Sequence, residues 1–177
     1  GLTGKAVRAD YAAGKAANDR GDYEAAYREW RPSAESGDAN SQFAVGLLFR
    51  DGEGVDRDYP SAIRWLRKSA MQSHVKAITA LGYMFNVGKG LPEDKGKAEC
   101  LYLVAAHSGY ASAQWNLHKL LREKPGIDFG AGQWLDRAAA QGHSSALFVK
   151  ARIVFLNPLY IDKTEGYYFF LLAARQG

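Results

Sequence analysis

Apolar residues recur at helical spacing along most of the chain, and two kinds of helix alternate. The first kind is represented by SQFAVGLLFR (41–50), in which one stripe is apolar and the next is mixed. Such a stripe is typical of a helix that buries one face in a core. The second kind is represented by YPSAIRWLRKSAMQ (59–72), whose proline lies in the first turn, where a missing N–H costs nothing. The pattern predicts pairs of helices, a first helix A and a second helix B.

The helix pairs repeat at a nearly constant interval. Gly52 and Gly54 recur 36 residues later as Gly88 and Gly90. The B helices end at turn residues spaced 36, 36, 33 and 35 apart, namely Gly37, Ser73, Gly109, Gly142 and Gly177. Eleven positions before each turn stands a small residue that lets helices approach closely, namely Ala26, Ala62, Ala98, Ala131 and Gly166. The period predicts one all-α solenoid of about five antiparallel helix pairs. Its units are expected at about 1–37, 38–73, 74–109, 110–142 and 143–177.

The DGEG segment (51–54) has two readings, a phosphate-binding loop or a turn between helices. A phosphate loop needs a preceding strand and either a third spaced glycine or Gly-Lys-Ser/Thr, and neither is present. The echo GKG at 88–90 lies at the same position of the next repeat. We therefore expect both segments to be turns whose glycines supply backbone angles that other residues resist.

Three blocks of the chain resemble Sel1-like repeats, which are close relatives of tetratricopeptide repeats. They are DANSQFAVGLLFRDGEGVDRDYPSAIRWLRKSA (38–70), its echo at 74–106, and YASAQWNLHKLL…WLDRAAAQGH at 110–143. The last unit departs from the pattern, because Ala151 stands where the family has a glycine in helix A, as at Gly46 and Gly82. In the same unit LNPLYIDKTEG (156–166) replaces the Gly-x-Gly loop. The third unit also departs, with His118 for that glycine and the shortened loop REKPGIDFG (122–130). The resemblance implies a right-handed α-solenoid that binds other proteins.

Composition excludes several other classes. The chain has 177 residues, a net charge of +4, 47% hydrophobic residues and one cysteine. A nucleic-acid-binding domain usually has a stronger, clustered positive charge, so we expect no nucleic-acid partner. No apolar run is long enough to span a membrane. Cys100 has no partner for an internal disulfide, and we expect a small thiol that is buried or half-buried.

No catalytic or metal-binding pattern stands out in the sequence. The histidines lack cysteine or acidic partners at ligand spacing, and His74 and His143 share one repeat position, which favours a structural role. Serines and carboxylates form neither a nucleophile elbow nor an acid pair. We therefore expect no metal, no cofactor and no enzyme activity. The alternative is a hydrolase of cell-wall or lactam substrates whose catalytic groups converge from distant units.

In tetratricopeptide-like arrays the first helix of each pair lines the concave side, so the resemblance implies that one stripe of the A helices lies there. Its aromatic and cationic members form the predicted partner-binding groove: Phe43, Arg50, Lys76, Tyr83, Trp115, Lys119, Arg122, Phe148 and Arg152. The stripe contains no Asp or Glu, so we expect a protein partner with an acidic and apolar segment. The neighbouring stripe is almost wholly apolar and is predicted to form the core: Val45, Leu48, Phe49, Leu81, Met84, Phe85, Leu117, Leu120 and Leu121.

The last B helix, GYYFFLLAARQG (166–177), is apolar over most of its circumference. A solenoid normally ends in a polar cap. Either the natural chain continues beyond Gly177, or this end self-associates or binds a partner through Tyr167, Phe170 and Leu171.

The expected function is that of a protein–protein interaction scaffold, adaptor or regulator. The resemblance implies a role in a bacterial cell-envelope process and export to the periplasm, with the cytoplasm as the alternative compartment. A second alternative implied by the resemblance is a toxin-immunity protein that binds an effector.

Overall fold

The computed structural model describes residues 3–124, 130–157, 159 and 163–176, with side chains given between Tyr11 and Arg175. Helices occupy most of this part of the chain, and it contains no strand. The helices are α1 (Thr3–Asp19), α2 (Tyr23–Glu35), α3 (Ala39–Asp51), α4 (Tyr59–Ala70), α5 (Val75–Val87), α6 (Lys95–His107), α7 (Ala111–Arg122), α8 (Ala131–Ala140), α9 (Ser144–Leu156) and α10 (Thr164–Gln176). The predicted fold class, an all-α solenoid of helix pairs, is confirmed.

The chain forms two compact units, an N-terminal unit of residues 1–98 and a C-terminal unit of residues 99–177. The five repeat boundaries inferred from the sequence stay a prediction. Gly177 and parts of the two atypical loops, at 125–129, 158 and 160–162, lie outside the described residues. No described helix is both long enough and apolar enough to cross a membrane.

The predicted core stripe is confirmed at seven of its nine positions, and the other two, Phe49 and Phe85, are half-buried. Val45, Leu48, Leu81 and Met84 are buried in the N-terminal unit, and Leu117, Leu120 and Leu121 are buried in the C-terminal unit. The predicted small positions are buried as well, at Ala26, Ala62, Ala98, Ala131 and Gly166. Close packing also explains the glycine at position 46 of α3, since a Cβ on Gly46 would lie only 2.9 Å from Leu66 Cγ.

The DGEG and GKG segments are turns, as predicted. Gly52 ends α3 and Gly88 ends α5 in the left-handed conformation. The second glycine of each turn, Gly54 or Gly90, also has a positive φ. A Cβ on Gly54 would lie 2.5 Å from the Glu24 backbone nitrogen, so this turn packs directly on the first residues of α2. The loop glycine is therefore a packing residue between successive repeats as well as a turn residue.

Pairs of glutamines, one buried and one exposed, connect the end of one B helix to the next helix pair. Gln42 Nε2 donates to the Ala34 carbonyl over 3.1 Å, and Gln72 Nε2 donates to Gln42 Oε1 over 2.8 Å. The C-terminal unit repeats this arrangement with Gln114, whose Nε2 donates to the Ala106 carbonyl over 3.1 Å, and Gln141, which donates to Gln114 over 2.8 Å. These glutamines add a side-chain donor to carbonyls at the ends of α2 and α6 that also accept from the turn N–H groups of Gly37 and Gly109.

Cys100 corrects the expectation of a buried or half-buried thiol. Ala98, Tyr102 and Ala105 are buried on one side of α6, and Cys100 is exposed. Positions 98, 102 and 105 are spaced four and three apart and so share one helix face. Position 100 lies two residues from the nearest of them and therefore projects from the opposite side.

Candidate functional site

Two neighbouring hollows lie on the C-terminal unit. The first, here called the apolar hollow, has a volume of about 550 Å³ and is lined by Trp115, Ser144, Ser145, Phe148, Val149, Phe170, Ala173 and Ala174. The second, here called the basic hollow, has a volume of about 370 Å³ and is lined by Arg122, Val149, Arg152, Ile153, Leu156 and Asn157. Val149 lines both hollows, so the two are adjacent on one surface.

The sequence places these side chains together because one face of α9 supplies most of them. Ser145, Phe148, Arg152 and Leu156 follow each other at intervals of three and four residues, which keeps them on one side of a helix. Helix α7 contributes Trp115 and Arg122, two turns apart. Helix α10 contributes Phe170, whose ring lies 5.6 Å from the ring of Phe148.

The chemistry of the two hollows differs sharply. The described residues that line the apolar hollow are three aromatic, three aliphatic and two serine side chains. Those of the basic hollow include two exposed arginines and no carboxylate. In the described part of the chain, neither Arg122 nor Arg152 is in an ion pair. Arg152 instead lies over the Phe148 ring at 6.0 Å, at the junction of the hollows.

Trp115 is surrounded by histidine rings and a cation. Its ring stacks with His118 at 5.6 Å and lies 5.7 Å from the ring of His143. Lys119 lies 5.8 Å from the indole centroid. His118 is 5% exposed, and its Nδ1 lies 2.8 Å from the Ala131 carbonyl oxygen. Because a carbonyl only accepts, Nδ1 must be the protonated nitrogen of neutral His118.

Burial lowers the pKa of both histidines below the ordinary value of 6.5, and nearby cations lower it further. Arg122 acts in this direction on His118, and Lys119 does so on His143. The Ala131 carbonyl and Asp136 act in the opposite direction on the pKa of His118 without outweighing burial. Both imidazoles are therefore neutral at pH 7, and the apolar hollow carries no charge from them.

Acidification is expected to destabilise the fold through these histidines. Their pKa values are lower in the folded chain than in the unfolded chain, so the unfolded chain takes up protons first as the pH falls below 6.5. The free energy of unfolding should be constant near pH 7 and decrease towards pH 5. Asp58 and Asp94, whose pKa values are lowered from 3.8, titrate below this window. Urea unfolding at a series of pH values measures the slope of the free energy of unfolding against pH.

His118→Asn tests how much His118 contributes to the pH dependence of stability. Asparagine retains an N–H donor for the Ala131 carbonyl and does not titrate. We expect the variant to lose part of the slope between pH 7 and 5, with the remainder due to His143 and to His74, whose pKa burial also lowers. An unchanged slope would contradict the expectation that protonation of His118 destabilises the fold between pH 7 and 5.

The predicted groove residues of the N-terminal unit have different surroundings. Phe43 is half-buried, with its ring 5.0 Å from that of His74, and Lys76 is exposed. Tyr83 is 36% exposed, and Lys89 lies 5.5 Å from its ring centroid. Arg50 is held by Asp51, with Nε 2.8 Å from Oδ1 and Nη2 2.5 Å from Oδ2. Asp51, which is not a member of the predicted stripe, therefore neutralises the charge of Arg50 on this unit.

The structure thus brings together one subset of the predicted groove. Trp115, Arg122, Phe148 and Arg152 line the two hollows of the C-terminal unit, and Lys119 is exposed next to Trp115. Ser145, which belongs to the same A-helix stripe as Phe148 and Arg152, also lines the apolar hollow. Prediction missed the other lining residues, Ser144, Val149, Ile153, Leu156, Asn157, Phe170, Ala173 and Ala174. Helical spacing could have identified three of these residues in the sequence, since Val149, Ile153 and Leu156 continue the face of α9 that begins at Ser145.

The residues predicted for terminal self-association separate into two groups. Tyr167 and Leu171 are 63% and 66% exposed on α10. Phe170 is half-buried in the apolar hollow, between the rings of Phe148 and Phe155 at 5.6 and 5.2 Å. Self-association of this end stays a prediction. No group of three or more His, Cys, Asp or Glu in the described residues could hold a metal ion.

Solved structures of similar fold come from several bacteria. A Sel1 repeat protein from Oxalobacter formigenes is 24% identical and superposes with a TM-score of 0.83. The match covers 94% of this chain and 70% of that protein. A protective antigen present in uropathogenic Escherichia coli strains, which displays an SLR fold, is 24% identical with a TM-score of 0.71. The match covers 95% of this chain and 38% of the antigen. An immunity protein from Pseudomonas aeruginosa is 19% identical, with 85% of this chain and 73% of that chain covered and a TM-score of 0.50.

Sequence comparison gives the family directly. No curated protein sequence matches this chain. The model of the Sel1 repeat matches residues 39–74, 75–110, 131–143 and 158–177, and the first two matches have the full period of the predicted repeat. These segments make up more than half of the chain. The protein therefore belongs to the Sel1 repeat family.

Proposed function

We propose that this protein is a binding module whose C-terminal unit takes up a partner segment through the apolar and basic hollows. Sel1 repeat proteins generally mediate protein–protein interactions, and the family is typically a non-catalytic scaffold. The observation that carries the proposal is the adjacency of the two hollows, one apolar and the other positively charged. A volume of about 550 Å³ is within the range of pockets that bind discrete ligands.

The geometry of α9 supports a specific partner chemistry. Phe148 and Arg152 are four residues apart on a helix, which separates their Cα atoms by about 6 Å along the helix axis. Two residues of an extended strand cover a similar distance, about 6.6 Å. The favoured partner is therefore an extended protein segment in which a bulky apolar residue and an Asp or Glu are two positions apart.

Charge reversal at Arg152 tests this proposal. A displayed random-peptide library selected on the wild-type protein should enrich apolar–x–acidic sequences. Arg152→Glu should bind the enriched peptides at least about tenfold more weakly, since it replaces an attraction with a repulsion. The same selection on Arg152→Glu should enrich apolar–x–basic sequences. Titration calorimetry with the enriched peptides measures the affinities.

Arg67→Glu is the matched control, because Arg67 is an exposed arginine of α4 that lines neither hollow. The control should retain wild-type affinity. Enrichment of the same peptides by the wild type and by Arg152→Glu would contradict the proposal and indicate a different binding surface.

The wider role remains part of the proposal. A regulatory or adaptor function in the bacterial cell envelope, with a periplasmic location, is the setting that the family resemblance implies. The immunity alternative has only the fold of the Pseudomonas aeruginosa protein in its support, because an identity of 19% shows nothing beyond the fold. We therefore give it no further weight.

A further inference from the structure

A separate hollow lies on the N-terminal unit, between α1, α2 and α3. It has a volume of about 290 Å³ and is called here the N-terminal hollow. Four aromatic residues contribute to its lining: Tyr11, Tyr23, Trp30 and Phe43. Tyr11 and Trp30 stack with their ring centroids 5.9 Å apart, and Trp30 Nε1 donates to the Tyr11 carbonyl over 3.0 Å. The aromatic wall is therefore held in place by the fold.

The carboxylates of this hollow are not equivalent. Lys15, the one cation of the described lining, is paired with Asp19 at 2.6 Å, and Asp51 is paired with Arg50. Glu53 also lines the hollow and is half-buried. Among the residues that the structure describes, no cation forms an ion pair with Glu53. The hollow thus has one carboxylate whose charge is uncompensated, next to aromatic faces.

Charge complementarity identifies the kind of ligand. Partial burial of an uncompensated carboxylate is unfavourable, and a cationic ligand that displaces water from it would recover the lost interaction. Aromatic rings attract cations through their faces, and the planar guanidinium stacks on rings better than an ammonium group does. A volume of about 290 Å³ lies at the small end of ligand pockets, which suits one side chain.

We propose that the N-terminal hollow binds an arginine side chain of a protein partner, with Glu53 as the carboxylate that receives the guanidinium. The other contacts are stacking on Tyr11, Tyr23 and Phe43. This site is independent of the proposed function of the C-terminal unit, which concerns acidic and apolar side chains. A partner that uses both sites would present an arginine to one unit and a carboxylate to the other.

Titration with short peptides tests the site. The probe is acetyl-Gly-Gly-Arg-Gly-Gly-amide, and the comparison peptides carry norleucine or glutamate in place of arginine. We expect the arginine peptide to shift the Trp30 indole N–H resonance saturably, with a dissociation constant on the order of 1 mM for so small a ligand. The norleucine and glutamate peptides should cause no saturable shift. An equal response to norleucine would overturn the proposal, since the hollow would then be merely apolar.

Variants assign the effect to Glu53. Glu53→Gln should bind the arginine peptide about tenfold more weakly, because the charge-assisted hydrogen bond is lost. Glu29→Gln, on the exposed side of α2, is the matched control and should bind like the wild type. Wild-type affinity in Glu53→Gln, or absence of a saturable shift in the wild type, would overturn the proposal.

Two further variants keep the test decisive. Phe43→Leu retains the carboxylate and removes one ring, so it should weaken binding of the arginine peptide even if Glu53→Gln does not fold. Undiminished binding by Phe43→Leu would contradict the stacking contribution. In Arg152→Glu the arginine peptide should shift the Trp30 indole N–H resonance with the wild-type dissociation constant, because this resonance reports on the N-terminal hollow. Failure of this site is thereby distinguishable from failure of the C-terminal hollows, where this variant is expected to favour basic segments.

Discussion

Gly54→Ala is expected to destabilise the N-terminal unit by about 3 kcal/mol. One part of the loss is conformational, because Gly54 has a φ of 67°, where an L-residue costs about 1 kcal/mol. The other part is steric, because the new Cβ would lie 2.5 Å from the Glu24 nitrogen and would force α2 away from the turn. Overpacking of this kind costs about 1–3 kcal/mol. Urea unfolding followed by circular dichroism measures the change.

Gly21→Ala is the control that separates the two contributions. Gly21 has a φ of 77°, and nothing lies within 4 Å of a Cβ built on it. It therefore has the backbone cost without the steric cost, and we expect a loss of about 1 kcal/mol. Equal losses for the two variants would contradict the view that the loop glycine joins successive repeats by packing.

Periodicity explains why so much of this fold was predictable. A repeated backbone position imposes the same requirement in every unit, so two copies of a loop confirm each other. Gly52, Gly54 and their counterparts Gly88 and Gly90 could be assigned to turns for this reason, and the structure confirms their positive φ values. Burial of the apolar stripe followed from its helical spacing together with the alignment of the repeats, because residues three and four apart share one face of a helix.

Polar groups escaped prediction because their partners come from other elements. Gln42 and Gln114 look like surface residues in the sequence, yet both are buried and bonded to carbonyls eight residues earlier in the chain. A helix stripe identifies which residues share a face, but it does not identify what the adjoining turn contributes to that face. Asp51 and Glu53 therefore changed the character of a surface that Phe43 and Arg50 suggested was basic.

The candidate site was predictable on α7 and α9 for a physical reason. Trp115, Arg122, Phe148 and Arg152 were assigned to one surface by their register in successive A helices, and the structure finds them lining adjacent hollows. Phe170 belongs to a B helix, so the A-helix register contains no information about it. Its contact with Phe148 depends on how α10 packs against α9, which is a tertiary property.

Trp115→Ala is expected to cost about 3 kcal/mol of stability in addition to any loss of partner binding. Trp115 is half-buried and packs against the core formed by Leu135, Ala138 and Leu147 while it also lines the apolar hollow. Removal of a buried aromatic ring typically costs about 3–5 kcal/mol, and partial exposure places this residue at the lower end. Stacking with His118 and His143 is lost as well. Unfolding in urea, followed by circular dichroism, checks the expectation.

Phe148→Ala is the informative comparison, since Phe148 lines the same hollow but is 48% exposed. It should lose about 1 kcal/mol, because half of its apolar surface already faces water. Similar small losses for both variants would show that Trp115 belongs to the surface alone, as its sequence register suggested. A large loss for Trp115→Ala alone would assign the indole to both core and hollow. Partner binding should then be tested with Phe148→Ala and Arg152→Glu, because in these variants weaker binding is not confounded by a weakened fold.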